Sequence, residues 1–202
     1  FDRSDFESRE PDAEPRFTLL HNGLFYGRQQ PDDLLHAIRE AVDRRPEIRT
    51  STRVVFQGDF FDRHMAMARR LGLEEMVEAR GGLPHRQAVQ GLAGADVLWL
   101  TVPRQPHSEN HTPGKLYEYF GSGKPILAFC GPGVTADLLE RYGAAWMAPP
   151  SGGEAAVQAL LHIHSAWEAG GLPEPDVEWA RQFERGRLAR RLHEVFLKVL
   201  SG

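Results

Sequence analysis

The stretch Thr112 to Pro125, TPGKLYEYFGSGKP, joins a glycine turn, a short helical segment with one carboxylate, a second glycine turn and an apolar run. In an open α/β sheet this order exposes backbone N–H groups at a helix N-terminus, where amides and helix dipole together favour a phosphate. Glu118 falls one turn inside that helix. It is placed to accept hydrogen bonds from two ribose hydroxyls while Gly114 and Lys115 meet a diphosphate. A P-loop is excluded, because Glu118 stands where its early glycine belongs and Pro125 follows Lys124 where a magnesium-holding Ser or Thr is required. The pattern points to a nucleoside diphosphate. A carboxylate in a first helical turn also occurs as a solvated group favoured by the dipole, so the ribose role for Glu118 rests on its glycine-rich neighbours.

Other reactive side chains read differently. His107, Glu109 and His111 suggest a metal site only if they lie on a helix, and the segment between Pro106 and Pro113 has no apolar periodicity. It reads as a loop, and no metal is expected. Arg28, by its position alone, reads as a surface partner of Asp32 or Asp33 at a helix start. His162 and His164 point to different faces of one helix, and the four tryptophans are scattered over separate elements as packing positions. The first strand-turn-helix reads NGLFYGR and lacks the three-glycine spacing of a dinucleotide site, which excludes a nicotinamide or flavin cofactor bound in that way. Cys130, the single cysteine, lies in an apolar run and is expected to be a buried thiol in a reducing, cytoplasmic compartment.

The elements that position these residues follow from the spacing of apolar side chains. The chain has 202 residues and a net charge of −4 with acids and bases interspersed, so no nucleic-acid footprint is expected and no apolar run is long enough to span a membrane. Residues 1–16, dense in charge and proline, have the composition of an interdomain linker, and a domain is expected over 17–202. Strands are expected at Phe17 to Asn22, Arg53 to Gln57, Val77 to Arg80, Ala95 to Thr101, Ile126 to Phe129 and Ala145 to Met147. Helices are expected at Pro31 to Arg45, Asp62 to Leu71, Arg86 to Leu92, the Glu118 segment, Val134 to Tyr142, Glu154 to Ala169, and in one final run from Val177 to Leu200. Strands separated by single helices require crossovers of one hand, hence an α/β, doubly wound parallel sheet of Rossmann-like type. Ligands in such sheets bind beyond the carboxyl ends of the strands, here at Asn22-Gly23, Gln57-Gly58, Arg80 to Pro84 and the loop Val102 to Gly114.

With those turns in order, the chain resembles the C-terminal, donor-binding domain of a GT-B fold glycosyltransferase, nearest to the retaining group 1 (family 4-like) enzymes. The resemblance runs from about Phe1 to about Phe196 and is carried by FDRSDF, FTLLHNGLFYGRQQPDDLLHAI, RGGLPHRQAVQGLAGADVLWL and above all PGKLYEYFGSGKPILAF. It implies a nucleoside-diphosphate sugar as donor substrate, no further cofactor, and a partner N-terminal domain through which any peripheral membrane association would run. Residue by residue, it implies Glu118 on the donor ribose, Arg28, Gly114 and Lys115 on the diphosphate, and Gly82, Leu83 and Pro84 beside the base. Gly23 and Gly58 would let their turns approach the ligand. In this family a second glutamate usually stands eight positions before the ribose glutamate; here that position is Asn110 with Glu109 beside it, so Glu109, Asn110 and Thr112 form the sugar-side loop. The family's arginine after the first-strand glycine is replaced by Leu24. The resemblance assigns no catalytic residue within this chain. A GT-B-like 2-epimerase and a non-catalytic Rossmann-like assembly module remain the alternative readings.

Overall fold

The computed structural model describes residues 1–6, 16–25, 27 and 29–200. Six strands form one parallel sheet: β1 (Phe17–Asn22), β2 (Thr52–Gln57), β3 (Val77–Gly81), β4 (Val97–Thr101), β5 (Ile126–Phe129) and β6 (Ala145–Ala148), in the order β3-β2-β1-β4-β5-β6. Strands buried on both faces need near-continuous apolar runs, and VLWLT in β4 and ILAF in β5 are buried at every position.

The helices are α1 (Asp32–Arg44), α2 (Ile48–Ser51), α3 (Asp62–Arg70), α4 (His85–Ala93), α5 (Lys115–Ser122), α6 (Val134–Tyr142), α7 (Gly153–Glu168), α8 (Val177–Ala180) and α9 (Arg185–Leu200). Because successive strand residues face opposite ways, the sheet feeds two cores. Leu19, Val54, Phe56, Trp99 and Phe129 pack with Leu34, Ile38 and Val42 of α1 and Val157 and Leu160 of α7. On the other side Leu20, Val55, Leu98, Leu100 and Ala128 pack with Leu92 of α4, Leu116, Tyr119 and Phe120 of α5 and Leu139 and Tyr142 of α6. The chain crosses from β3 back to β4 beside β1, so the strand order reverses between β1 and β4. That reversal opens a crevice at their carboxyl ends.

Besides the short helix α2 and shifts of about a residue at element ends, three parts of the chain differ from the sequence expectation. β4 begins at Val97 rather than Ala95, because Asp96 turns to β1: Thr18 N–H donates to Asp96 Oδ2 at 2.7 Å and Asp96 N–H to Thr18 O at 3.0 Å. The final helix is broken into α8, a 3-10 turn at Arg181–Phe183, and α9. Trp179 and Phe183 turn inward onto the ring of Phe120, Glu184 is extended, and Arg185 N–H then donates to Phe1 O at 3.0 Å. Helical periodicity alone does not register a carbonyl remote in sequence that takes one of the helix's amides. The segment carrying it is itself folded: Arg3–Phe6 forms a 3-10 turn, and Phe1 and Phe6 lie so close to Gly121 that a Cβ there would fall 2.5 Å from the Phe1 ring.

Candidate functional site

The turns that follow β1, β2 and β3 nest against one another. Gly23 N–H donates to Gln57 O at 2.7 Å, and Gly58 N–H donates to Gly81 O at 2.8 Å. Gly58 has φ +114, and a Cβ on it would fall 2.2 Å from the carbonyl oxygen of Gly23, so only glycine permits this approach. The β1 turn is held from below by Tyr119 of α5. Asn22 N–H donates to the Tyr119 hydroxyl at 3.0 Å, and that hydroxyl donates to Trp99 O at 3.2 Å. One side chain thereby ties β1, β4 and α5 together at the crevice.

The start of α5 faces this turn. The amides of Leu116 and Tyr117 donate to Pro113 O (3.0 Å) and Gly114 O (3.3 Å), and Pro113 has no N–H. The backbone donors left at this helix end are those of Gly114 and Lys115, with no acceptor among the described residues. The space over Gly114 is open: an added Cβ would meet nothing within 4 Å. Lys115 folds back over Gly23, its Nζ 2.8 Å from where a Gly23 Cβ would stand and 3.2 Å from His21 Nε2. His21 Nδ1 lies 3.0 Å from Trp99 O. A carbonyl only accepts, so Nδ1 carries the proton and Nε2 offers its lone pair to the lysine.

Burial sets the charges. His21 is 1% exposed and stacks on Phe25 at 4.7 Å between ring centroids. Burial, and then the adjacent Lys115 charge, hold its pKa well below the usual histidine value, so it is neutral. Burial lowers Lys115 to about 8, opposed by the Glu118 carboxylate one turn on. Glu118 is half-buried, and its carboxylate accepts no hydrogen bond from a described residue. Beside Lys115 a cavity of about 260 Å³ is lined by Gln29, Thr101, Val102, Pro103, His111 and Pro113 with Gly114, and Gln29 Nε2 donates to Thr101 O at 2.9 Å.

The structure therefore gathers Gly23, Gly58, Gly114, Lys115 and Glu118 at one crevice. Gly82, Leu83 and Pro84 stand at the end of β3, two strands away from β1, about 10 Å across the sheet. Glu109 and Asn110 are exposed on a 3-10 turn at Ser108–Asn110, and Thr112 is half-buried; none of the three lines the cavity. That loop is pinned to the start of α6, where Thr135 Oγ1 donates to His111 O at 2.7 Å and a Cβ on Gly133 would fall 2.3 Å from Glu109 O. Arg28 lies outside the described residues. Among the described residues no cluster of His, Cys, Asp or Glu could hold a metal ion. Sequence reasoning missed His21, Gln29 and Tyr119, and weighed His111 only as a metal ligand. For His21 a signal existed: an ionisable residue inside an apolar strand, next to the glycine that ends it.

A six-stranded parallel sheet of this order, flanked by helices and open at the β1/β4 reversal, is a Rossmann-like architecture, and solved glycosyltransferases share it. WaaG, a glycosyltransferase involved in lipopolysaccharide biosynthesis, superimposes with a TM-score of 0.63 at 20% identity over 86% of this chain and 43% of its own. AviGT4, involved in avilamycin A biosynthesis, gives 0.65 at 20% identity over 100% of this chain and 57% of its own. HepE of Anabaena, solved in complex with UDP, gives 0.62 at 20% identity over 91% of this chain and 49% of its own. The chain thus spans about half the length of the structures it matches, and the likeness at these identities is one of fold. No protein-family profile and no curated protein matches the sequence.

Proposed function

We propose that this chain is the donor-binding half of a glycosyltransferase that uses a nucleoside-diphosphate sugar. The observation that carries this reading is the grouping at one helix end, from Gly114 to Glu118, of two amides and a carboxylate with no hydrogen-bond partner among the described residues and of a half-buried cation. Breaking the bond between the sugar and the diphosphate leaves negative charge on the departing phosphate. Donors already aimed at that charge lower the barrier most. Lys115 and the amides of Gly114 and Lys115 fill that role, with Arg28 as a second cation. Glu118 accepts from the ribose hydroxyls and Gly82 to Pro84 border the base, while a sugar-side role for Glu109, Asn110 and Thr112 follows from the family resemblance alone and requires their loop to shift towards the cavity. Gly23 and Gly58 keep side chains out of the ligand's approach.

The acceptor pocket and any catalytic base belong to a preceding domain, in keeping with the half-length match to the solved glycosyltransferases. Retention of configuration and independence from metal belong to the same reading and follow from the family resemblance. This chain alone is expected to bind donor without turnover. Isothermal titration with UDP, GDP and dTDP tests the binding: one of them gives a saturable heat, and Glu118→Ala weakens it by about 2 kcal/mol, roughly thirtyfold, for the loss of charge-assisted hydrogen bonds. No heat with any of the three, and no effect of Glu118→Ala, would favour the assembly-module reading instead.

A further inference from the structure

His21 is an ionisable residue near the end of a buried strand, and both of its ring nitrogens have partners. Nδ1 lies 3.0 Å from Trp99 O on β4, and Nε2 lies 3.2 Å from Lys115 Nζ on α5. The ring is clamped in this orientation: it stacks on Phe25 with 8° between planes and lies against the Trp99 ring at 5.0 Å between centroids. Turning it over would set carbon atoms against both Trp99 O and Lys115 Nζ. A second proton on the ring is disfavoured by burial and then by the lysine's charge. His21 is thus a fixed acceptor facing Lys115. The lysine has a flexible four-carbon stem and a strongly hydrated head. It nevertheless folds back over the β1 turn, into space that glycine leaves free, since a Cβ on Gly23 would fall 2.8 Å from Nζ. Lys115 and Tyr119 stand four residues apart on α5, hence on one face. The Tyr119 hydroxyl donates to the same Trp99 carbonyl, at 3.2 Å, that holds His21. Helix α5 therefore meets the β1/β4 reversal through two side chains, one ending on that carbonyl and the other reaching it through the imidazole.

We propose that His21 is the positioning residue for Lys115: fixed with its proton on Nδ1 by the Trp99 carbonyl, it presents Nε2 as the acceptor that holds the ammonium over the Gly23 turn. This assignment rests on the reading of the crevice as a diphosphate site. A lysine free in solvent must be ordered when an anion binds, and that ordering subtracts from affinity; an acceptor already in place removes the cost. The kind of acceptor matters as well. A carboxylate here would hold the ammonium but cancel its charge, whereas a neutral imidazole holds it by one hydrogen bond and leaves the charge for the ligand. The ring itself is buried, so it acts on an anion through the lysine rather than by contact.

Nitrogen-15 NMR of the chain labelled at histidine tests the pairing without ligand. The His21 signals, assigned by their loss in His21→Gln, are expected to show a proton on Nδ1 and a bare Nε2 through pH of about 6.5, where an ordinary histidine is half protonated. The Nε2 resonance is expected to shift when Lys115→Met removes the donor. A proton on Nε2, or a resonance indifferent to Lys115→Met, would overturn the proposal. Isothermal titration with whichever of UDP, GDP and dTDP the parent binds then separates positioning from packing. His21→Leu, which fills the space without an acceptor, is expected to weaken binding about tenfold. It also returns the titration of Lys115, followed by carbon-13 NMR at Cε beside Lys124 and Lys198, from about 8 towards the usual lysine value of about 10.4. His21→Gln, whose carboxamide accepts from the lysine while donating to Trp99 O, is expected to stay within about threefold of the parent. Equal loss in both variants, with the titration of Lys115 unmoved, would show that His21 only packs. Should His21→Leu fail to fold, the His21 resonances and His21→Gln decide the matter. A parent chain that gives no heat with any of the three nucleotides refutes the donor reading alone, and the His21 and Lys115 resonances still decide the pairing.

Discussion

Lys115 is the residue on which chemistry and stability pull in opposite directions. Its ammonium is largely withdrawn from water, with no carboxylate of a described residue in contact, and this desolvation lowers its pKa from the usual lysine range to about 8. A lysine with a depressed folded pKa destabilises the folded chain fully below that value, and the penalty is relieved as pH rises towards the unfolded value. Lys115→Met is therefore expected to raise the stability of the ligand-free chain at neutral pH, on the order of 1–2 kcal/mol, while weakening diphosphate binding. Urea unfolding and UDP titration on the same variant measure the two effects, and a variant less stable than the parent would contradict the buried-charge account. A bound diphosphate restores the proton. Above about pH 8 binding is accordingly expected to take up a proton and to weaken with pH, which titration in two buffers of different ionisation enthalpy detects. Lys115 and Glu118 were legible as candidates from their place after Pro113-Gly114. That His21 is the lysine's neighbour was not, because 94 residues separate them in sequence.

At the scale of elements, α5 holds the crevice together through Tyr119, which reaches β1 and β4 with a single hydroxyl. Tyr119→Phe leaves the half-buried Asn22 amide without its acceptor and is expected to cost about 1–2 kcal/mol in urea unfolding. The nested turns set a stricter demand. In Gly58→Ala the new Cβ would stand 2.2 Å from Gly23 O at φ +114, so the β1 and β2 turns must separate, at a cost of about 2–3 kcal/mol. Loss of UDP binding in that variant beyond its loss of stability would locate the ligand at the β1 turn; an unchanged melting temperature would show that the turns relax freely. The apolar runs of β1 and β5 were readable to the residue because strands covered on both faces admit little else. The break before α9 was not readable, since it depends on where Phe1 lies.

For the molecule as a whole, the two cores flank β1, β4 and β5, and α9 stands outside both. Regions with little buried apolar contact open at low free energy, so amides of β4 and β5 are expected to exchange with solvent only at global unfolding and those of α9 much sooner. Hydrogen-exchange mass spectrometry checks this, and protection of α9 equal to that of β4 would show that another surface covers it in solution.

By itself the sequence determined the doubly wound class and the strand positions to within a residue or two, and it singled out the Gly114 turn as a candidate site. Local spacing specifies periodicity, turns and helix starts, and these are short-range properties. Only the tertiary structure decided that a neutral histidine faces Lys115, that Gly58 must abut Gly23, that Glu109 and Asn110 stand away from the cavity, and that α9 joins neither described core. Each of those depends on contacts between residues remote along the chain, and such contacts arise only when the crossovers bring the strand ends to one edge of the sheet.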